Sequence, residues 1–201
     1  MKKLFDDVQN TKFLRSLNML RFHRSDLEYH KKERMKRKLM FDSDLMRYMK
    51  SNNLTFSVPK AADNLDLKKM NNYHMISDQR LIDDCKKLYK KLILKTHPDK
   101  NMSRSEETQE AKLADYKRCR NAFENNDWFT LFEMALDYKL EIPKGNTEQV
   151  EWMESEVDRI KEIVETIQST YEWRYAKPDN DVVKKESIMV KCCMIFCIND
   201  E

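Results

Sequence analysis

Glycine occurs once in 201 residues, at Gly145, and proline four times. Tight turns, bulges and close backbone approaches draw heavily on glycine. A chain this poor in it has little means of building a sandwich, a barrel or a glycine-rich phosphate loop. Lys, Glu, Leu and Met are abundant instead, which favours helix throughout. The expected fold class is therefore all-α. With 36% charged and 40% hydrophobic residues, the length suits one compact domain with helical extensions better than two full domains.

The net charge of +3 conceals a gradient. Counting Lys and Arg against Asp and Glu, residues 1–60 carry +8, residues 61–125 carry +3 and residues 126–201 carry −8. The two ends are expected to attract each other or different partners. The five cysteines are Cys85, Cys119, Cys192, Cys193 and Cys197. Their number is odd and no pair has CxxC spacing. Met1-Lys2-Lys3-Leu4-Phe5-Asp6-Asp7 turns acidic before an apolar core could form, so no signal peptide is expected. A reducing, cytoplasmic location follows as an expectation (host cytoplasm if the source is viral). The longest nearly apolar run, Ile188 to Ile198, contains Lys191 and is shorter than the ~20 residues of a spanning helix. No membrane partner is expected.

Along the chain, residues 4–50 read as one helix. Leu17, Leu20, Leu27, Met35, Leu39, Met46 and Met49 form its apolar stripe, and Ser51-Asn52-Asn53 ends it. The run Lys31-Lys32-Glu33-Arg34-Met35-Lys36-Arg37-Lys38 could meet nucleic acid. A solvated helix face, or a contact with the acidic C-terminal third, is the preferred reading. Val58-Pro59 starts a linker, and a short helix is expected over residues 61–70. Asp78 can cap a helix whose buried stripe is Leu81, Cys85, Leu88 and Leu92. Pro98 lacks an N–H and should stop that helix at about Thr96. After a loop at residues 101–105, a helix from Glu106 to Glu124 is expected to bury Leu113, Tyr116, Cys119 (or Arg120) and Phe123. Asp127 can cap a short helix from Trp128 to Lys139. From residue 146 to 171 a heptad pattern appears, with Val150, Val157, Val164 and Tyr171 at one position and Met153, Ile160 and Ile167 at the other. The repeat spans only about three heptads. It could pair two copies of the chain or fold back on the basic N-terminal helix. Residues 181–198 form a last, mostly buried element, read as helix with strand left open.

One sequence needs a specific reason. Lys87-Leu88-Tyr89-Lys90-Lys91-Leu92-Ile93-Leu94-Lys95-Thr96-His97-Pro98-Asp99-Lys100-Asn101 places a rigid His-Pro-Asp break at the end of a lysine-rich helix. It resembles the second helix and loop of J domains (DnaJ-like co-chaperones), which read basic-x-Tyr-basic-basic-Leu-x-x-Lys-x-His-Pro-Asp-Lys. Tyr116-Lys117-Arg118-Cys119-Arg120-Asn121-Ala122-Phe123-Glu124 resembles that family's third helix, with Cys119 where Ile or Val is usual and Phe123 where Tyr is. The resemblance covers roughly residues 72–125, about a quarter of the chain. It implies an antiparallel helical hairpin whose loop presents His97, Pro98 and Asp99 to a 70-kDa heat-shock chaperone and stimulates its ATPase. It also implies that Lys86, Lys87, Tyr89, Lys90, Lys91 and Lys95 dock on an acidic chaperone surface. Independently of the family, a lysine face suits salt-sensitive association with an acidic partner. A rigidly held Asp99 suits a charge-assisted hydrogen bond.

The chain departs from the family pattern around this core. Tyr73-His74-Met75-Ile76 lacks the glycine of the usual Tyr-x-x-Leu-Gly-Val opening. The basic fourth helix is replaced by Trp128-Phe129-Thr130-Leu131-Phe132-Glu133-Met134-Ala135. Gly/Phe-rich and zinc-binding regions are missing, which places the resemblance in the miscellaneous class, with an undefined client. A helical arm, a J-like centre and the tail Thr170-Tyr171-Glu172-Trp173-Arg174-Tyr175-Ala176 together resemble J-domain proteins of large DNA viruses. Three segments are expected: a basic helical arm (1–60), a J-like domain (72–140), and an acidic coiled-coil-like helix with a C-terminal apolar element (146–201). The terminal helices are candidates for a coiled-coil hairpin. No nucleophile arrangement or phosphate loop is present, so no enzyme is expected. Cys192-Cys193 with Cys197 lacks a fourth ligand nearby and reads as buried thiols, so no metal or cofactor is expected. The alternatives to a co-chaperone are a J-like scaffold without ATPase stimulation and, more weakly, a nucleic-acid-binding protein using residues 31–38.

Overall fold

The computed structural model describes residues 2–56, 79–100, 105–176 and 182–199. The linker at Val58-Pro59, the short helix at 61–70, the family-like opening at 73–76, the Asp78 cap and residues 101–104 of the expected loop lie outside these. The fold is all-α apart from one small ribbon. In chain order it comprises α1 (Lys2–Ser51), β1 (Leu54–Phe56), α2 (Gln79–Thr96), a 3-10 turn (Pro98–Lys100), α3 (Glu106–Glu124), α4 (Trp128–Asp137), α5 (Thr147–Ser169), α6 (Tyr171–Tyr175), α7 (Val182–Phe196) and β2 (Cys197–Asn199). No helix among the described residues is long and apolar enough to cross a membrane. The chain divides into two compact units, residues 1–21 with 70–154 and residues 22–69 with 155–201.

The first unit is centred on α4. Trp128, Phe129, Leu131, Phe132, Met134 and Ala135 are all buried. A helix apolar on nearly every side belongs inside a core. Its start is fixed by Asp127, whose Oδ1 accepts from the Thr130 N–H at 3.0 Å. Aromatic rings interlock around it: Phe132 meets Phe13 edge-on at 5.9 Å, and Trp128 meets Trp152 at 5.3 Å. α2 and α3 pack against α4 and against each other. The expected stripe on α2 is present, with Leu81, Leu88 and Leu92 buried and Cys85 half-buried. On α3 the expected face needs correction. Cys119 and Ala122 are buried, whereas Leu113 is 39% exposed. Leu113 lies nearly two turns before Cys119, closer to the helix start than the buried pair.

In the second unit, Phe41, Leu45 and Met49 of α1 pack with Tyr175 and with Met189, Cys192 and Cys193 of α7. The expected α1 stripe is buried at Leu27 and Met49 here, and at Leu17 and Leu20 in the first unit. It fails at Met35, Leu39 and Met46, which are 57–71% exposed. At 3.6 residues per turn these three point roughly 100° away from the face shared by Leu27, Phe41, Leu45 and Met49. The heptad positions Val157, Ile160 and Ile167 are buried in this unit, as Val150 and Met153 are in the first.

Partners on α1 and on α5–α6 rise together in number: His30 with Gln168, Arg34 with Glu172, and Asp44 with Tyr175. The two segments therefore run in the same sense, whereas a coiled-coil hairpin would run them in opposite senses. Short loops enforce antiparallel neighbours; here the long chain between the segments removes that constraint. The last element is also mixed. α7 buries only one side, leaving Val182, Val183, Met194 and Ile195 at 57–78% exposure. Its β-branched end turns into β2, which pairs antiparallel with β1 in the register Leu54↔Asn199, Thr55↔Ile198, Phe56↔Cys197.

Candidate functional site

The candidate site lies at one end and along one side of the α2–α3 pair. Leu88 and Leu92 anchor α2 in the core. Lys86, Lys87, Lys90, Lys91 and Lys95 spread over the remaining faces of the helix, all exposed. Lys86 and Lys87 sit beside Asp83 (3.6 Å) and Asp84 (3.1 Å), one turn back. Such surface pairs contribute well under ~1 kcal/mol and leave the ammonium groups accessible to a partner.

α2 stops where proline dictates. The His97 N–H still donates to Ile93 O at 2.9 Å, and the buried Thr96 hydroxyl donates to Leu92 O at 3.0 Å. Pro98 cannot continue this ladder, and the chain tightens into the 3-10 turn. The Asp99 backbone N–H donates to His97 Nδ1 at 3.3 Å. In neutral His97 that bond leaves the proton on Nε2. The Asp99 carboxylate stands 3.6 Å from Nδ1, and its side chain is 79% exposed against 37% for His97. The His97 ring meets Tyr116 of α3 edge-on at 5.5 Å, so α3 braces the turn. Pro98 is exposed between them. Imidazole and carboxylate are thus held on a stiff corner, in reach of an incoming donor or cation.

Tyr89 behaves differently from the lysines. Its ring stacks on Phe123 at 4.1 Å with 13° between planes, clamping α2 to α3. Tyr89 paired with Phe123, and His97 paired with Tyr116, run in opposite order along the two helices. The hairpin is therefore antiparallel, as the resemblance implied. Burial, followed by the nearby Cys119 and Tyr116, shifts the Tyr89 phenol upward.

α3 is also tied to α4. Arg118 pairs with Glu133. The Tyr138 hydroxyl donates to Asp115 Oδ2 at 2.5 Å and accepts from Lys112 Nζ at 2.8 Å. Burial first, then the Asp115 hydrogen bond, pushes the Tyr138 phenol upward. Beside the lysine face, Ile82, Cys85, Lys86, Phe123, Asn126, Trp128 and Leu131 line a cavity of about 250 Å³. Sequence reading did not anticipate it, because it arises from three helices meeting at the Asn126 turn. Asn126 itself has φ of 55°, a left-handed conformation that asparagine tolerates.

The basic run on α1 is used within the second unit. Arg34 Nε bonds Glu172 Oε1 at 2.7 Å, with both side chains nearly buried. Arg37 bonds Glu33 at 3.0 Å and lies 4.1 Å above the Trp173 ring. Lys32 and Lys36 remain exposed. Among the described residues, no group of three or more His, Cys, Asp and Glu is arranged to hold a metal. No known family model matches the chain, and no curated protein or solved structure is significantly similar to it.

Proposed function

We propose that the chain is a co-chaperone that docks through the His97-Pro98-Asp99 corner and the α2 lysine face onto a 70-kDa heat-shock chaperone and stimulates its ATPase. The observation that carries this reading is the continuity of the two features. An exposed, proline-stiffened His/Asp pair sits directly at the end of a helix whose exposed half is lysine-rich. Tyr89 joins the site as a clamp that holds α2 in place rather than as a group offered to the partner. The lysines would steer an acidic surface, and Asp99 would form the localised charge-assisted contact. Five seam positions, Val150, Met153, Val157, Ile160 and Ile167, are already covered within the chain, so the client and any second copy would engage other surfaces. No role for nucleic acid is needed to explain residues 31–38, since Arg34 and Arg37 already bind acidic and aromatic groups.

Calorimetric binding to an ATP-bound 70-kDa chaperone tests the docking face. Lys90→Glu with Lys91→Glu should weaken binding more than about tenfold and flatten its salt dependence. Unchanged affinity in that variant contradicts the assignment of the face.

A further inference from the structure

We propose that the outward face of α7 is an interface for a second copy of this chain, paired with it in parallel and in register. The proposal concerns the second unit and does not depend on the docking reading. α7 buries Met189, Cys192 and Cys193 against Phe41, Leu45 and Met49 of α1. Roughly 140° round the same helix, Val183, Ser187, Val190 and Met194 follow one another at alternating spacings of four and three. Val183 is 75% and Met194 78% exposed, Ser187 is exposed and Val190 is half-buried. Lys185 turns away from this stripe, its Nζ lying 5.3 Å from the Tyr175 ring centroid. The spacing is that of a coiled-coil seam, with Val183 and Val190 at d and Ser187 and Met194 at a.

The charges flanking the stripe select its partner. In this register Glu186 falls at g and Lys191 at e, and both are exposed. In a parallel pair each g side chain meets the e side chain five residues on in the other helix. Glu186 of one copy therefore meets Lys191 of the other, and the two-fold axis repeats the pair. Ser187 meets its own copy across that axis, where the two hydroxyls can hydrogen-bond. An antiparallel pair would gather Lys184 and Lys191 of both copies on one flank and both Glu186 side chains on the other, which is repulsive. A helix of unrelated sequence would need the matching charges at the same positions. A second copy has them by symmetry.

α7 is already folded against α1, so pairing carries no helix-nucleation cost. It is 15 residues long, about two heptads. A seam this short makes a weak, concentration-dependent dimer.

The test is sedimentation equilibrium of the full chain, under reducing conditions, from roughly 5 to 500 µM. The mass should rise with concentration from 24.4 kDa toward twice that value. Val183→Lys with Met194→Lys, both at exposed positions, should keep the helical circular dichroism and leave a monomer across the range. Glu186→Lys sets lysine against Lys191 and should weaken dimerisation about tenfold, and adding Lys191→Glu should restore it. A chain that stays monomeric at the highest concentration, or a dimer untouched by the two stripe substitutions, overturns the interface. A dimer indifferent to Glu186→Lys overturns the parallel pairing, because an antiparallel pair would only exchange one like-charge contact for another.

Discussion

At the residue scale, single side chains fix the geometry of the hairpin and its neighbour. Asp127 is buried and caps α4 through Thr130. Asp127→Ala should lower stability by about 1 kcal/mol, read as a lower urea midpoint. Cys119 illustrates a buried thiol with a pH signature. Burial first, then Asp115, pushes it from 9.0 up to about 12. A thiol whose folded value is raised contributes stability that is fully present below its unfolded value and is lost as pH rises through the folded one. Between about pH 9 and pH 12 the folded protein should therefore lose stability, by up to about 1.4 kcal/mol per pH unit from this group. Urea midpoints for Cys119→Ala should fall less steeply over that window, and parallel curves would count against the burial argument. Cys119 thus serves as a small apolar core residue.

At the element scale, the sequence was legible where one strong local rule acted. Pro98 ends α2, Asp127 begins α4, and heptad spacing marks the buried side of α5. The sequence misled where several registers were available. On a 50-residue α1 Met35, Leu39 and Met46 look periodic, yet the buried face is the one carrying Phe41 and Leu45. Only the partner decides which face of so long a helix is covered. The direction of α5–α6 along α1 was likewise not encoded in the heptads, which fit parallel and antiparallel pairs equally. The Arg34–Glu172 pair that joins α1 to α6 has both side chains nearly buried. Removing one partner breaks a nearly buried ion pair, so Glu172→Ala should destabilise the fold, by up to roughly 3–5 kcal/mol. Replacing both, with Arg34→Met, should recover much of that loss in a double-mutant cycle; additive losses would show that the two charges are not coupled.

At the scale of the whole molecule, a hairpin with an exposed functional corner is held by an apolar α4, while the basic and acidic ends of the chain meet within the second unit through Arg34 and Glu172. The charge gradient therefore has an internal use, and the lysines of α2 face outward in the first unit. The proposed docking role would use that surface together with the stiff His97-Asp99 corner. The departures in the flanking helices make productive stimulation, rather than docking alone, the demanding part of the proposal. Single-turnover ATP hydrolysis by 70-kDa heat-shock chaperones, with the full chain and with His97→Gln, measures it directly. The account predicts faster hydrolysis with the wild-type chain and loss of that acceleration in His97→Gln with folding intact; no acceleration by the wild-type chain, or equal acceleration by the variant, would contradict it.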